Sequence, residues 1–344
     1  MAMEPENEQA KAATMADVAL IAGVSPAAVS YYFSDRKEHS LRVGQSARER
    51  IRQAVEQLGY VPNKTARHLR RQRTERVCLL LPKLGIPFAD KMTSDIQAVT
   101  NSRGVLTLVM TGHDMAGYRK IISEVESGLA DGIIADAELF STDEVEDLFE
   151  PFARQNRACL VIHPSATPKS YSVVNHYRIA ALQQAMTHLM TLGHTDFIYV
   201  KNRRKIINTR VQHLLRLEAE LAGAITLSIV DGAQSRDAAA GVAREIAAMP
   251  KPPTAVLVES DVSAVTMVEE FKRLGLRVPE DIAVVGCGNA EAGYYANPRL
   301  TTIGPEWVSL TEAAEHFMSV VESRGVIAPR QFTVPWVLFN RDSA

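Results

Sequence analysis

Apolar residues in the first sixty positions recur at three- and four-residue spacing, and from Val77 onward they gather into short unbroken runs. The first pattern is that of amphipathic helices. Met15, Val18, Ala19 and Ala22 predict one short helix, ended by Gly23 because glycine takes the left-handed turn position without steric cost. Ser25 is a good N-cap, Pro26 suits the first helical position, and Val29, Tyr32 and Phe33 stripe a second helix. Val24 is expected as a buried plug between the two. Ala47, Ile51, Ala54, Val55 and Leu58 place a third helix over about Gln45–Leu58, stopped by Gly59. Two short helices around a glycine turn are either a helix-turn-helix, whose second helix enters a DNA major groove, or an αα-hairpin used for packing.

The second pattern comprises VCLLL (77–81), VLTLVM (105–110), GIIA (132–135) and ACLVI (158–162), then FIYV (197–200), ITLSIV (225–230), TAVLV (254–258) and AVVG (283–286). Near-continuous apolar strands alternating with helices imply parallel sheets covered on both faces. The fold class expected is therefore α/β, a doubly wound body behind an all-α head.

Charge sharpens the division. Across 14–76 there are twelve Lys/Arg against six Asp/Glu, while the whole chain of 344 residues carries a net −2. A basic head on an acidic body is the electrostatic layout of a nucleic-acid binder with a separate sensing part. The length calls for two or three domains, and 46% hydrophobic with 23% charged residues is ordinary globular composition. No apolar stretch has the length of a membrane span or a signal-peptide core. Residues 1–13 are polar and aperiodic, an expected disordered lead-in.

Cys78, Cys159 and Cys287 are widely spaced, each in or beside an apolar run, so buried free thiols in a reducing cytoplasm are expected. His163, His188, His194 and His213 are scattered. No metal-ligand spacing, nucleophile elbow, phosphate loop or dinucleotide fingerprint is present, and Gly286-Cys287-Gly288 is a lone G-x-G. No catalytic residue, metal or cofactor is expected.

Thr14-Met15-Ala16-Asp17-Val18-Ala19, Ala22-Gly23-Val24-Ser25 and Val29-Ser30 resemble the N-terminal signature of the lactose/galactose-repressor family of transcription regulators. Arg48-Glu49-Arg50-Ile51 and Leu58-Gly59-Tyr60-Val61-Pro62-Asn63 follow in the same order. The likeness continues through Asp131-Gly132-Ile133-Ile134, Leu192-Gly193-His194, Arg277-Val278-Pro279-Glu280-Asp281 and Leu300-Thr301-Thr302-Ile303. It implies a helix-turn-helix domain over 14–62, a hinge over 63–75, and an effector-binding and dimerisation body over 76–344. The implied body has two lobes like periplasmic binding proteins, 76–174 with 306–329 and 175–305 with 330–344, crossed near Asn175, Pro305 and Pro329. The ligand cleft then lies between them at the strands' carboxyl ends.

The same resemblance assigns DNA contacts to Thr14, Ser25, Pro26, Ala27, Ser30, Tyr31, Asn63, Arg67, Leu69 and Arg70. Leu69 holds the position of the leucine wedged into the minor groove, with Arg67, Arg70 and Arg71 for phosphates. A plain flexible linker is the competing reading of that stretch. Loop 34–42, longer than the family pattern by about four residues, offers Arg36, Lys37, His39 and Arg42 either to phosphates or to solvent.

In the cleft the family positions are Phe88, Arg210, Arg236, Ser260 and Asp261. Here the sequence departs from its relatives: Ser260 replaces an asparagine, Tyr177-Arg178 an Asp-Asn pair, Gly288 an aspartate, Ala89 one of two aromatics, and Arg236 another aromatic. Carboxylates and stacking rings are lost and cations gained, so an anionic metabolite or phosphorylated sugar is the expected effector, with Arg178 a further cation. Against this stands a cleft whose arginines face solvent and bind nothing tightly. The function expected is a cytoplasmic repressor reading palindromic double-stranded operator DNA as a homodimer. The alternatives are an effector-independent architectural DNA-binding protein and a receptor with a degenerate head. The final residues, 340–344, carry no leucine heptad, so no coiled-coil tetramer element is expected.

Overall fold

Contacts along the backbone divide the chain between Gln72 and Arg73 into two units. The computed structural model describes residues 13–33, 42–62, 73–203, 209–221, 223–306 and 309–344. Most of the lead-in (1–12), most of loop 34–42 and hinge positions 63–72 lie outside the described residues.

In the first unit α1 (Met15–Ala22) opens on a reciprocal cap. The Thr14 amide and hydroxyl donate to the Asp17 carboxylate at 2.8 and 2.7 Å, and the Asp17 amide donates back to the hydroxyl at 3.4 Å. Gly23, at φ 60°, closes the helix by donating to the carbonyls of Ala19 and Leu20. Ser25 accepts the Ala28 amide at 3.2 Å and starts α2 (Pro26–Tyr32), whose axis turns 105° from α1. The third helix, α3 (Gln45–Leu58), ends on Gly59 at φ 57°. Val18, Ala19, Ala22, Val29, Val43, Ile51, Ala54 and Tyr60 form the shared core. Two expectations change: Met15 is 37% exposed, and Val24 is only half-buried against this core. The angle and the common core are those of a helix-turn-helix rather than a flat packing hairpin.

The second unit alternates strands and helices. Its first part holds β1 (Arg76–Leu81), α4 (Pro87–Ser102), β2 (Leu106–Thr111), α5 (Met115–Glu126), β3 (Gly132–Asp136), α6 (Thr142–Ala153), β4 (Ala158–Ile162) and β5 (Ser172–Tyr177). The second holds α7 (Arg178–Thr191), β6 (Asp196–Lys201), α8 (Thr209–Glu220), β7 (Thr226–Asp231), α9 (Arg236–Ala247), β8 (Ala255–Val258), α10 (Asp261–Arg273), β9 (Ala283–Cys287), α11 (Glu291–Tyr294) and β10 (Thr301–Pro305). Then come α12 (Thr311–Ser323) and β11 (Gln331–Phe339). The strand order is β2-β1-β3-β4-β5-β11-β10-β9-β8-β6-β7.

Eight of these strands grow from the apolar runs of the sequence. The other three, β5, β10 and β11, are the ones that join the halves. Gln331–Pro335 of β11 runs parallel to β5, and Trp336–Phe339 runs antiparallel to β10. The sheet is therefore not wholly parallel, as the apolar runs had suggested. One apolar cluster, including Met92, Ile96, Leu182, Phe197 and Phe317, extends through both halves. A second, around Tyr118, Phe149 and Phe152, belongs to the first half, and a third, around Ile198, Met267 and Phe271, to the second.

The end of the hinge segment is tied to the body. Thr74 and Glu75 donate backbone amides to the Asp131 carboxylate at 2.7 and 2.9 Å, and Arg73 reaches the carbonyls of Val321 and Glu322 at 3.0 and 2.6 Å.

Candidate nucleic-acid interface and effector cleft

Small residues stand at the start of α2. Ser25, Pro26 and Ala27 are exposed, while Ser30 and Tyr31 are half-buried one turn further along. The Arg42 guanidinium lies 5.7 Å from the centroid of the Tyr31 ring, a cation–π contact that orients both groups. Thr14 is exposed but committed to the cap of α1. Arg52 is bridged by Glu49 and Glu56 and Arg48 donates to the Val43 carbonyl at 3.0 Å, so only part of the basic surplus is uncommitted. Asn63, Arg67, Leu69 and Arg70 lie outside the described residues.

Charged groups in the body converge where strands end. Glu138 follows β3, Glu259 follows β8, Arg178 opens α7 directly after β5, and Arg210 stands in the first turn of α8. Arg210, 6% exposed, donates to Glu259, lies 3.4 Å from Glu138 Oε1, and has Cys287 Sγ at 3.7 Å. Arg178 donates to the same Glu138 oxygen and stacks 4.3 Å from the centroid of Trp336. Burial disfavours charge on Arg210, but Tyr199, Glu259 and Glu138 around it hold it protonated, well above the ordinary arginine range. Two arginines of the expected cationic cleft, Arg178 and Arg210, thus meet carboxylates. Among the described residues, Glu138 and Glu259 offset the charges of Arg178 and Arg210.

Two further expectations are corrected. Arg236 is exposed and donates to Thr266 Oγ1 of α10 at 3.1 Å, so it runs along a helix flank instead of joining Arg210. Asp261 is 3% exposed, and its oxygens accept the Thr302 hydroxyl at 2.6 Å and the Ala290 amide at 2.5 Å. Burial raises its carboxyl to about 6. It ties α10 to the loop after β9 and has little left for a ligand. Ser260, half-buried, is the N-cap residue of α10 and makes no side-chain cap bond.

Phe88 borders a cavity of about 410 Å³ that Lys91, Gly288, Asn289, Glu306 and Ser309 also line. Its inner edge meets His176 at 6.1 Å between ring centroids, and Trp336 stands 6.3 Å from both rings. His176 is 1% exposed, and neither ring nitrogen has a hydrogen-bond partner among the described residues. Burial, with Arg178 nearby, lowers it to about 3, so it stays neutral.

Sequence reasoning missed Glu138, His176 and Trp336. Glu138 was within reach of it, as an acidic residue just past a strong apolar strand. The other two lie on β5 and β11, strands whose polar and proline residues hide them.

Cys78 and Cys159 are buried and Cys287 half-buried, all free, and burial pushes the Cys78 thiol up to about 12. No group of three or more metal-ligating side chains occurs among the described residues. No single helix there is long and apolar enough to cross a membrane.

The family profile described as "Bacterial regulatory proteins, lacI family" matches residues 14–63, and that of a "Periplasmic binding protein-like domain" matches 186–344. The HTH-type transcriptional repressor PurR of Vibrio cholerae is 27% identical over 295 residues, 85% of this chain and 86% of that protein. The HTH-type transcriptional repressor CytR of Escherichia coli K12 is 26% identical over 302 residues, 86% of each chain. In fold the chain is similar to the lac repressor dimer bound to operator and the anti-inducer ONPF. The TM-score is 0.75 at 18% identity, over 97% of this chain and 99% of that one.

Proposed function

The chain belongs to the lacI family of bacterial regulatory proteins and is a DNA-binding transcription regulator, not an enzyme; from this premise we propose how it acts. It represses by binding a palindromic operator as a homodimer, with the exposed start of α2 in the major groove. One helix-turn-helix reads a half-site, and a two-fold pair reads a palindrome. The observation that carries the reading is the 105° turn from α1 to α2 over a shared core, with small exposed residues at the leading end of α2.

The domains of this reading are the head at 14–62, the hinge at 63–75, and the two-lobed body from 76 onward. A small polar effector enters between the halves of the body, where Phe88, Arg178 and Arg210 stand. Structural likeness to a repressor crystallised with operator and anti-inducer supports this arrangement. A second reading, DNA binding without an effector, has one observation in its favour: the cleft arginines already hold carboxylates of the chain itself.

Selection of bound sequences from a random DNA pool, followed by anisotropy against the recovered site, tests the first part. A palindrome bound far more tightly than random DNA, with affinity falling steeply as salt rises, is the expected result. Thermal-shift screening of small metabolites with and without that operator separates the two readings. An effector must stabilise the protein and change operator affinity, since only differential binding shifts a conformational equilibrium.

A further inference from the structure

Glu138 comes from the first half of the body, and both of its arginine partners come from the second. It is therefore a carboxylate reaching across the space where an effector would sit. Glu259 has a different standing. Its side chain has no exposed surface, and it also accepts the Asn202 amide, so it is a fixed counterion beneath Arg210. The Glu138 side chain keeps 16% of its surface exposed and sits on a short turn between β3 and α6, with its amide bonded to Asp136 Oδ1 at 3.1 Å. Of the two carboxylates, Glu138 is the one that solvent and an entering ligand can reach. Nε of Arg178 is also buried without an acceptor among the described residues, so this cluster has a donor to spare.

From this geometry we infer that Glu138 is a built-in carboxylate ligand of the cleft. It latches the two halves together in the unliganded protein and excludes small anions until displaced. The inference rests on reading the cleft as an effector site and adds the class of ligand that would compete there, a compact carboxylate or phosphate. With Glu138 in place two arginines meet two carboxylates, and among the described residues of the cluster an entering anion finds no net positive charge. With Glu138 displaced the pair of guanidinium groups carries one positive charge beyond Glu259. Such a pair matches a planar or tetrahedral oxyanion with several parallel N–H donors.

The test uses the full-length protein without DNA, as wild type, Glu138→Ala and the near-isosteric Glu138→Gln, which guards against misfolding of the alanine form. Amide hydrogen exchange is followed by mass spectrometry, and inorganic phosphate is titrated calorimetrically, with glucose as the neutral comparator. Both variants should exchange several-fold faster at 136–140, 178–182 and 209–214 while β4 and β8 stay as in wild type. Both should bind phosphate at least about tenfold more tightly than wild type, the worth of one charge-assisted hydrogen bond. Wild-type exchange at those three segments, or unchanged phosphate affinity in both variants, overturns the latch. Neither readout involves operator or effector. Failure to find any ligand that alters DNA binding would therefore sink the sensing function and leave the latch standing.

Discussion

Gly286 and Asp261 are packed so closely that a methyl group on the glycine would fall 2.3 Å from Asp261 Oδ1 and 2.6 Å from Leu300 Cδ2. The aspartate cannot retreat, since Thr302 and Ala290 hold its oxygens. Gly286→Ala is expected to destabilise the body by about 2 kcal/mol, in the range of core overpacking. Gly241→Ala, inside α9 with nothing within 4 Å of the added carbon, should instead stabilise by about 0.5–1 kcal/mol. Denaturant titration of the two variants measures the contrast.

Arg210 has a structural duty besides the effector contact proposed for it. Arg210→Met leaves the carboxylate of Glu259 buried beside an apolar chain, a change that costs about 3–5 kcal/mol when a buried pair loses one partner. Adding Glu259→Gln should recover most of the loss. A single variant as stable as wild type in urea would show that Arg210 faces water.

Acid should weaken the body through His176. Above pH 6.5 the ring is neutral in both states and makes no difference. As pH falls below that value the unfolded chain takes up a proton that the folded one, lowered to about 3, refuses. Stability drops progressively down to about pH 3. His176→Phe, which suits the contacts with Phe88 and Trp336, should remove a loss on the order of 3 kcal/mol at pH 4.5. Arg178, Glu138 and His163 set the local field and are retained in the variant. Asp261 works in the opposite sense. Its carboxyl is raised from 3.8 to about 6, so its native form loses stability as pH climbs between those values. Urea melts of both proteins across pH 4–7 give the difference curve.

Base reading should follow the side chains at the start of α2. Pro26 and Ala27 offer only apolar contact, which suits thymine methyls, and the Tyr31 hydroxyl supplies one hydrogen bond but no bidentate guanine contact. Half-sites rich in A·T at the positions facing α2 are the expected product of selection, with specificity at one position relaxed by Tyr31→Phe. An invariant guanine opposite Tyr31, read equally well by the phenylalanine variant, would contradict this.

The cap of α1 carries a local expectation. Thr14→Ala removes the two hydroxyl bonds of the exchange with Asp17, leaving only the backbone amide's, and should cost the head about 1 kcal/mol. Operator affinity, measured below the melting temperature, separates that loss from a DNA contact by the same residue. A fall in affinity at full folding would assign Thr14 to the interface.

The head was legible from residues close together in the chain. Gly23, Ser25, Pro26 and Gly59 act through their own backbone geometry, so the helix ends they mark needed no distant partner. Eight strands were legible because six of them, β1, β3, β4, β6, β8 and β9, are buried almost throughout and so nearly continuously apolar, while the edge strands β2 and β7 keep enough apolar residues to form a run. Composition and periodicity along the chain already specified a basic three-helix head and an α/β body. The strands β5, β10 and β11 were not legible in that way. His176 and Pro335 interrupt any apolar run, and β11 becomes a strand by pairing with two partners, Val173–Tyr177 and Thr302–Pro305, far away in sequence. The charge of the cleft was likewise hidden. Arg210 could be picked out by position, but whether it stands free depends on Glu138, 72 residues before it, and Glu259, 49 residues after it. Local propensity and burial act on neighbours in the chain, whereas neutralisation of a buried charge acts through space. Folding alone brings those carboxylates to the arginines.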